Sequence, residues 1–157
     1  MDWENQILAH YTDNGNTLIA VIPQFAAPPG EYWSIDFLGI DLQSRSLLFI
    51  EVTEAQTPSP KLIDKIKRRG EWIPIIRQEL IKNTKVVDDS WRHLTIVFVI
   101  DTRVEWLRER LQNPSDVSVE PLSNCCPYWL TGKEPRRGEP RIGSEAKAEP
   151  AVPPDRP

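Results

Sequence analysis

The sequence predicts an α/β fold in which a mixed central sheet is flanked by helices. Three observations carry this reading. Residues 33–42 and 47–53 are two runs rich in Ile, Leu, Val and aromatics, separated by the polar stretch Gln43-Ser44-Arg45-Ser46. They read as two buried strands joined by a hairpin loop of common length. After Thr57-Pro58-Ser59-Pro60, the residues Leu62, Ile66, Ile73, Ile76 and Leu80 recur at helical spacing and predict a long helix with one apolar stripe. Leu94 to Ile100 is an unbroken apolar run with Val and Ile prominent, as expected of an interior strand. A helix between two such strands makes a βαβ crossover, right-handed by the usual rule.

The remaining elements follow in order. Asp2 is placed to cap a first helix that runs to about Tyr11, with Trp3, Ile7, Leu8 and Tyr11 on its inner face. Asp13-Asn14-Gly15-Asn16 closes that helix as a turn. Residues 17–22 read as a short buried strand stopped by Pro23, and Pro28-Pro29-Gly30 makes the next turn. Ser59 suits the N-cap of the long helix and Pro60 its first position. Pro74 is expected to kink or split that helix, because its ring clashes with the Gly70 carbonyl. Thr102 and Glu105 have capping-box spacing for a helix ending near Leu111, and residues 116–120 alternate as a final edge strand.

A chain of 157 residues is long enough for one domain with a sizeable core. We place that α/β domain at residues 1–130. Residues 131–157 are rich in Pro, Gly and charged residues, with six basic and five acidic side chains, and read as a disordered tail. The first residues lack a basic and apolar leader, and no run reaches membrane-spanning length. The expectation is a cytoplasmic protein with no membrane association. Cys125 and Cys126 are adjacent, which suits neither a metal knuckle nor a disulfide framework, so both are read as reduced thiols. No Gly-rich phosphate loop, GxSxG elbow or HExxH pair occurs, which argues against nucleotide kinases, serine hydrolases and zincins.

The chemistry-bearing feature is a carboxylate inside each of the two hairpin strands, Asp36 and Glu51. An ionised acid in a sheet is costly unless it is paired, hydrogen-bonded or bound to a cation. With Leu42 facing Leu47, Asp36 lies opposite Thr53 and Leu38 opposite Glu51, so Asp36, Glu51 and Thr53 share a face. Asp36 and Glu51 are then diagonal, with Cα atoms roughly 7–8 Å apart, close enough to converge on one ion. A loop one residue longer or shorter would instead set Asp36 against Glu54.

The element order α-β-β-β-α-β-α-β, with Ser34-Ile35-Asp36-Phe37-Leu38 on one strand and Leu48-Phe49-Ile50-Glu51-Val52-Thr53 on the next, resembles the PD-(D/E)XK nuclease superfamily. The resemblance covers roughly residues 2–112. It implies the restriction-endonuclease-like αβββαβ core and a metal-dependent phosphodiesterase acting on DNA. It also implies Mg²⁺ (or Mn²⁺) held by Asp36, Glu51 and the Val52 carbonyl, and Glu4 as a candidate additional acid. Thr53 departs from the pattern, which places a lysine there. Some members carry that lysine on the following helix, where Lys61 and Lys65 are the candidates. Members often dimerise, so a homodimer is among the partners the resemblance allows.

The alternative is a catalytically inactive relative that binds nucleic acid or a protein partner. A third reading is a small α/β interaction protein whose acids are structural. Residues 61–92 hold nine Lys or Arg against five acids, within an overall net charge of −4. Lys65, Lys67, Arg68 and Arg69 are therefore candidate contacts to a nucleic-acid backbone, though a solvated helix face explains the same charges. Lys61, Lys65, Arg68 and Trp72 form a second stripe offset from the apolar one, and for Trp72 burial against a neighbouring loop is favoured over stacking on a base.

Overall fold

Two eight-residue strands form the centre of the molecule, and shorter strands flank them. A computed structural model describes residues 3–13, 15–21, 23–26 and 32–125. The elements are α1 (Trp3–Thr12), β1 (Thr17–Val21), β2 (Gln24–Ala26), β3 (Tyr32–Ser34), β4 (Phe37–Asp41) and β5 (Ser46–Thr53). They continue with α2 (Pro60–Lys67), α3 (Arg69–Asn83), β6 (Arg92–Val99), α4 (Val104–Leu111) and β7 (Val117–Pro121). Short 3₁₀ turns precede α4 and follow β7. The main sheet has five strands in the order β1-β4-β5-β6-β7. Its β1–β4 and β4–β5 pairs are antiparallel, and its β5–β6 and β6–β7 pairs are parallel. The fold is therefore α/β with a mixed sheet flanked by helices. Asp2, the Pro28-Pro29-Gly30 turn, Cys126 and the 131–157 tail lie outside the described residues.

Alternation along β5 assigns the two layers. Leu47 and Phe49 face α3, where they pack with Leu38, Trp72, Ile73 and Ile76. Leu48 and Ile50 face the other way and pack with Ile7 of α1, Phe37, Phe98 and Leu122. Farther along the first face, Ile66 of α2 and Leu107 of α4 close over Val97, Val99 and Val119. Glu51 shares the face of Leu47 and Phe49, so it lies beneath α2 and α3. Cys125 is buried.

Several expectations need correction. The strand expected over residues 33–42 is two pieces. β3 pairs with β2 in a separate two-stranded sheet, and the chain bends at Ile35–Asp36 before β4 begins. The hairpin register is shifted by two, with Asp41 facing Ser46 and Phe37 facing Ile50. The Asp41 carboxylate causes this by accepting the Gln43 and Ser44 amides at 2.9 and 3.2 Å. That side-chain turn starts one residue early, and Arg45 completes it with a φ of 51°. β1 is an edge strand, with Leu18 54% and Val21 52% exposed, because β4 is its one partner among the described residues. Thr102 and Glu105 form no capping box. A 3₁₀ turn over Asp101–Arg103 delays the helix, and Glu105 pairs with Arg108 at 2.7 Å.

The long helix does break, but at Arg68 rather than at Pro74, which sits inside α3. Two side chains explain the position of the break. The Trp72 indole N–H donates to the Lys65 carbonyl at 2.9 Å, and Arg69 Nη1 donates to the Ile66 carbonyl at 3.2 Å. Both satisfy carbonyls that a helix end leaves open. Pro74 is the sixth residue of α3, so it forgoes the bond to the Gly70 carbonyl without ending the helix.

Candidate functional site

Asp36 sits where the β4–β5 ladder stops. Extending the register one step beyond Phe37–Ile50 puts Asp36 across from Glu51. The bend at this point releases Asp36 from regular pairing. Its Oδ2 instead accepts the Val52 N–H at 2.7 Å, a charge-assisted bond to the residue next to Glu51. The shift of two kept the predicted face and turned a diagonal relation into a direct one.

Glu51 is 5% exposed. Burial pushes its carboxyl up to about 7, the Lys65 ammonium holds it down, and the nearby Asp36 charge adds to the upward push. Lys65 reaches down from α2 and donates both to Glu51 Oε1 and to the Ser34 carbonyl. Three elements thus meet: the β3–β4 bend, the end of β5, and α2. The hydrogen bonds among the described residues engage Asp36 Oδ2 and Glu51 Oε1, which leaves the second oxygen of each carboxylate able to serve a cation or water.

The other candidates are placed as follows. Lys61 is exposed one turn before Lys65, and it does not share the contact with Glu51. Thr53 ends β5, and its hydroxyl accepts the Ala55 amide at 3.3 Å. Glu4 is exposed on α1, which packs on the sheet face opposite Glu51, so the fold does not bring it to the pair. Lys67 is exposed. Arg68 is turned toward Glu71 and Asp64, at 2.8 and 3.8 Å. Arg69 makes a bidentate pair with Asp116, both bonds at 2.6 Å. The expected backbone track is thereby corrected: intramolecular acids neutralise two of its four members, and Lys65 turns inward.

Two contributors were not apparent from sequence. The Ser34 carbonyl gives Lys65 its second acceptor. Trp72 is 2% exposed and packs edge-to-face on Phe49, with ring centroids 5.4 Å apart. Its burial is thus against a strand of the main sheet rather than a loop, and its indole holds the turn that carries Lys65. The spacing of seven residues between Lys65 and Trp72, two helical turns, was the available signal.

Among the described residues, no group of three or more His, Cys, Asp or Glu is arranged to hold a metal ion. A donor set of two carboxylates and a backbone carbonyl suits Mg²⁺, which keeps several of its waters, better than a transition metal with an all-protein shell. No helix among the described residues is long and apolar enough to cross a membrane. No protein-family model matches the chain, and the search of curated proteins finds no match.

Proposed function

We propose that this chain is a metal-dependent phosphodiesterase of the PD-(D/E)XK nuclease superfamily, with the restriction-endonuclease-like core and DNA as substrate. The observation that carries the reading is the position of Lys65. An ammonium from α2 is bonded to Glu51 and to the backbone beside Asp36, although Thr53 occupies the usual place of the lysine. The topology supports the same reading: the acids flank an antiparallel junction, and β5 leads through helices to the parallel strand β6.

In this function Asp36, Glu51 and the Val52 carbonyl would hold Mg²⁺ or Mn²⁺. When bound, such an ion neutralises phosphate charge and makes water a stronger nucleophile. The Val52 N–H fixes one Asp36 oxygen and so orients the other. Lys65 offsets the buried Glu51 charge and stands ready to hold a phosphate oxygen. Lys61 and Lys67, both exposed, are the cations left for the DNA backbone.

The test is plasmid nicking in Mn²⁺ or Mg²⁺. Asp36→Ala, Glu51→Ala and Lys65→Ala are each expected to lower the rate at least ~100-fold, while Lys61→Ala, which removes only a backbone contact, costs no more than a few-fold. Undiminished nicking by Asp36→Ala or Lys65→Ala would overturn the assignment. Salt-dependent DNA retention without cleavage would point instead to the inactive relative that Thr53 suggests.

A further inference from the structure

A second concavity lies on the helix-covered side of the sheet, between α3 and the starts of β6 and β7. It is a cavity of about 450 Å³, inside the ~300–1,000 Å³ range of small-ligand pockets. It shares no residue with the acid pair. His93, in its lining, stands beside Leu47 in the β5–β6 register, whereas Glu51 stands beside Val97. The two places are therefore separated by four strand positions, roughly 13 Å.

The lining divides by chemistry. Ile73, Pro74 and Ile81 make an apolar wall, and Lys67, Arg77 and His93 make a polar one. Arg69 and Asp116 also border the cavity, but their bidentate bond neutralises both. Arg77 is different, because its Nη2 donates to the Asp89 backbone carbonyl at 3.0 Å, a neutral acceptor that leaves the guanidinium charge in place. Lys67 makes no salt bridge among the described residues. Counting Asp89 and Asp116 against Lys67, Arg69 and Arg77 leaves a net positive lining. The His93 imidazole is held below its ordinary value, first by burial and then by the Arg77 charge, with Asp116 opposing and Arg69 adding to the fall. A neutral imidazole still offers one N–H donor.

We propose that this cavity binds a small phosphate monoester of mononucleotide size, its phosphate against Lys67 and Arg77 and its ring or apolar body against Ile73, Pro74 and Ile81. Two cations without carboxylate partners match a phosphate dianion, and the guanidinium fork suits its planar pairs of oxygens. The apolar wall gives the rest of the ligand a surface that inorganic phosphate does not use.

Calorimetric titration of the full chain tests this, with adenosine 5′-monophosphate as the probe in about 150 mM NaCl, where purely surface attraction is screened. The nucleotide is expected to bind with Kd below ~1 mM, and adenosine or inorganic phosphate at least ~10-fold more weakly. Lys67→Ala with Arg77→Gln is expected to weaken the nucleotide ~10-fold or more, about the loss of one good ionic contact. Gly70→Glu serves as an independent variant. A Cβ at this cavity-lining glycine meets nothing within 4 Å, so the substitution starts without a backbone clash, and the added negative charge at the cavity should weaken nucleotide binding at least ~10-fold. Glu51→Gln should leave it unchanged, which separates this site from the proposed hydrolysis. No nucleotide binding up to ~5 mM, equal affinity for adenosine, or unaltered affinity in the folded Gly70→Glu chain would overturn the assignment.

Discussion

At Glu51, burial and charge oppose each other at the scale of one side chain. Its carboxyl titrates at about 7 in the folded chain against an ordinary 4.5, chiefly because it is buried, with Lys65 only partly compensating. Between those values the folded state keeps a proton that the unfolded state has released. Stability must therefore fall as pH rises from about 4.5 to 7 and stay level above that. Glutamine reproduces the protonated form and does not titrate. Glu51→Gln is thus expected to match the wild type near pH 4.5 and to exceed it by roughly 3 kcal/mol above pH 7. Urea unfolding in EDTA across pH 5 to 8 measures the gap, and a gap that does not widen with pH would refute the burial account. Under the proposed function, the charge that costs this stability is the one that would ligate the cation.

The elements show what patterning determines and what it leaves to side-chain chemistry. Apolar runs, one alternating stretch, helical spacing and capping residues located the strands of the main sheet and the helices among the described residues, with α2 and α3 read as a single helix. The face shared by Asp36 and Glu51 was also legible: a register error of two preserves parity, and only an odd slip would have turned one acid away. The register itself was not legible, since it depends on the Asp41 carboxylate catching two turn amides. Nor was the helix break at Arg68, which depends on Trp72 and Arg69 reaching back to the α2 carbonyls. The choice of Lys65 over Lys61 likewise stayed open in the sequence. Gly70 gives a test of the α3 start. It lies in the first turn, at a backbone φ outside the left-handed region, and a Cβ there meets open space. Gly70→Ala is expected to stabilise the chain by about 0.5–1 kcal/mol through helix propensity and a less disordered unfolded state. A thermal melt reads this as a rise of a few degrees. A lowered midpoint would mean that the helix does not begin there.

For the whole molecule, the position of the acid pair follows from the layering. β5 is the middle strand of five, and helices or 3₁₀ turns cover both faces. Its carboxyl end is where the antiparallel half of the sheet meets the parallel half, and crevices at strand carboxyl ends are the usual ligand sites of α/β sheets. Under the proposed function Asp36 and Glu51 would hold an ion there, which would lower the cost of the buried Glu51 charge and so favour the folded state over the unfolded one. At 100 times its Kd such an ion adds ~2.7 kcal/mol to stability, which for a domain of this size raises the melting midpoint by several degrees. Mn²⁺ at pH 8 is expected to produce that rise in the wild type and to lose it in Asp36→Ala and Glu51→Gln, although Glu51→Gln starts from the higher midpoint. The opposite signs of the two effects on one variant make the result hard to imitate by general ionic stabilisation, which would shift all three chains alike. Identical midpoints for the wild type in EDTA and in Mn²⁺ would remove the cation from the site, and with it the hydrolysis, without any knowledge of the substrate.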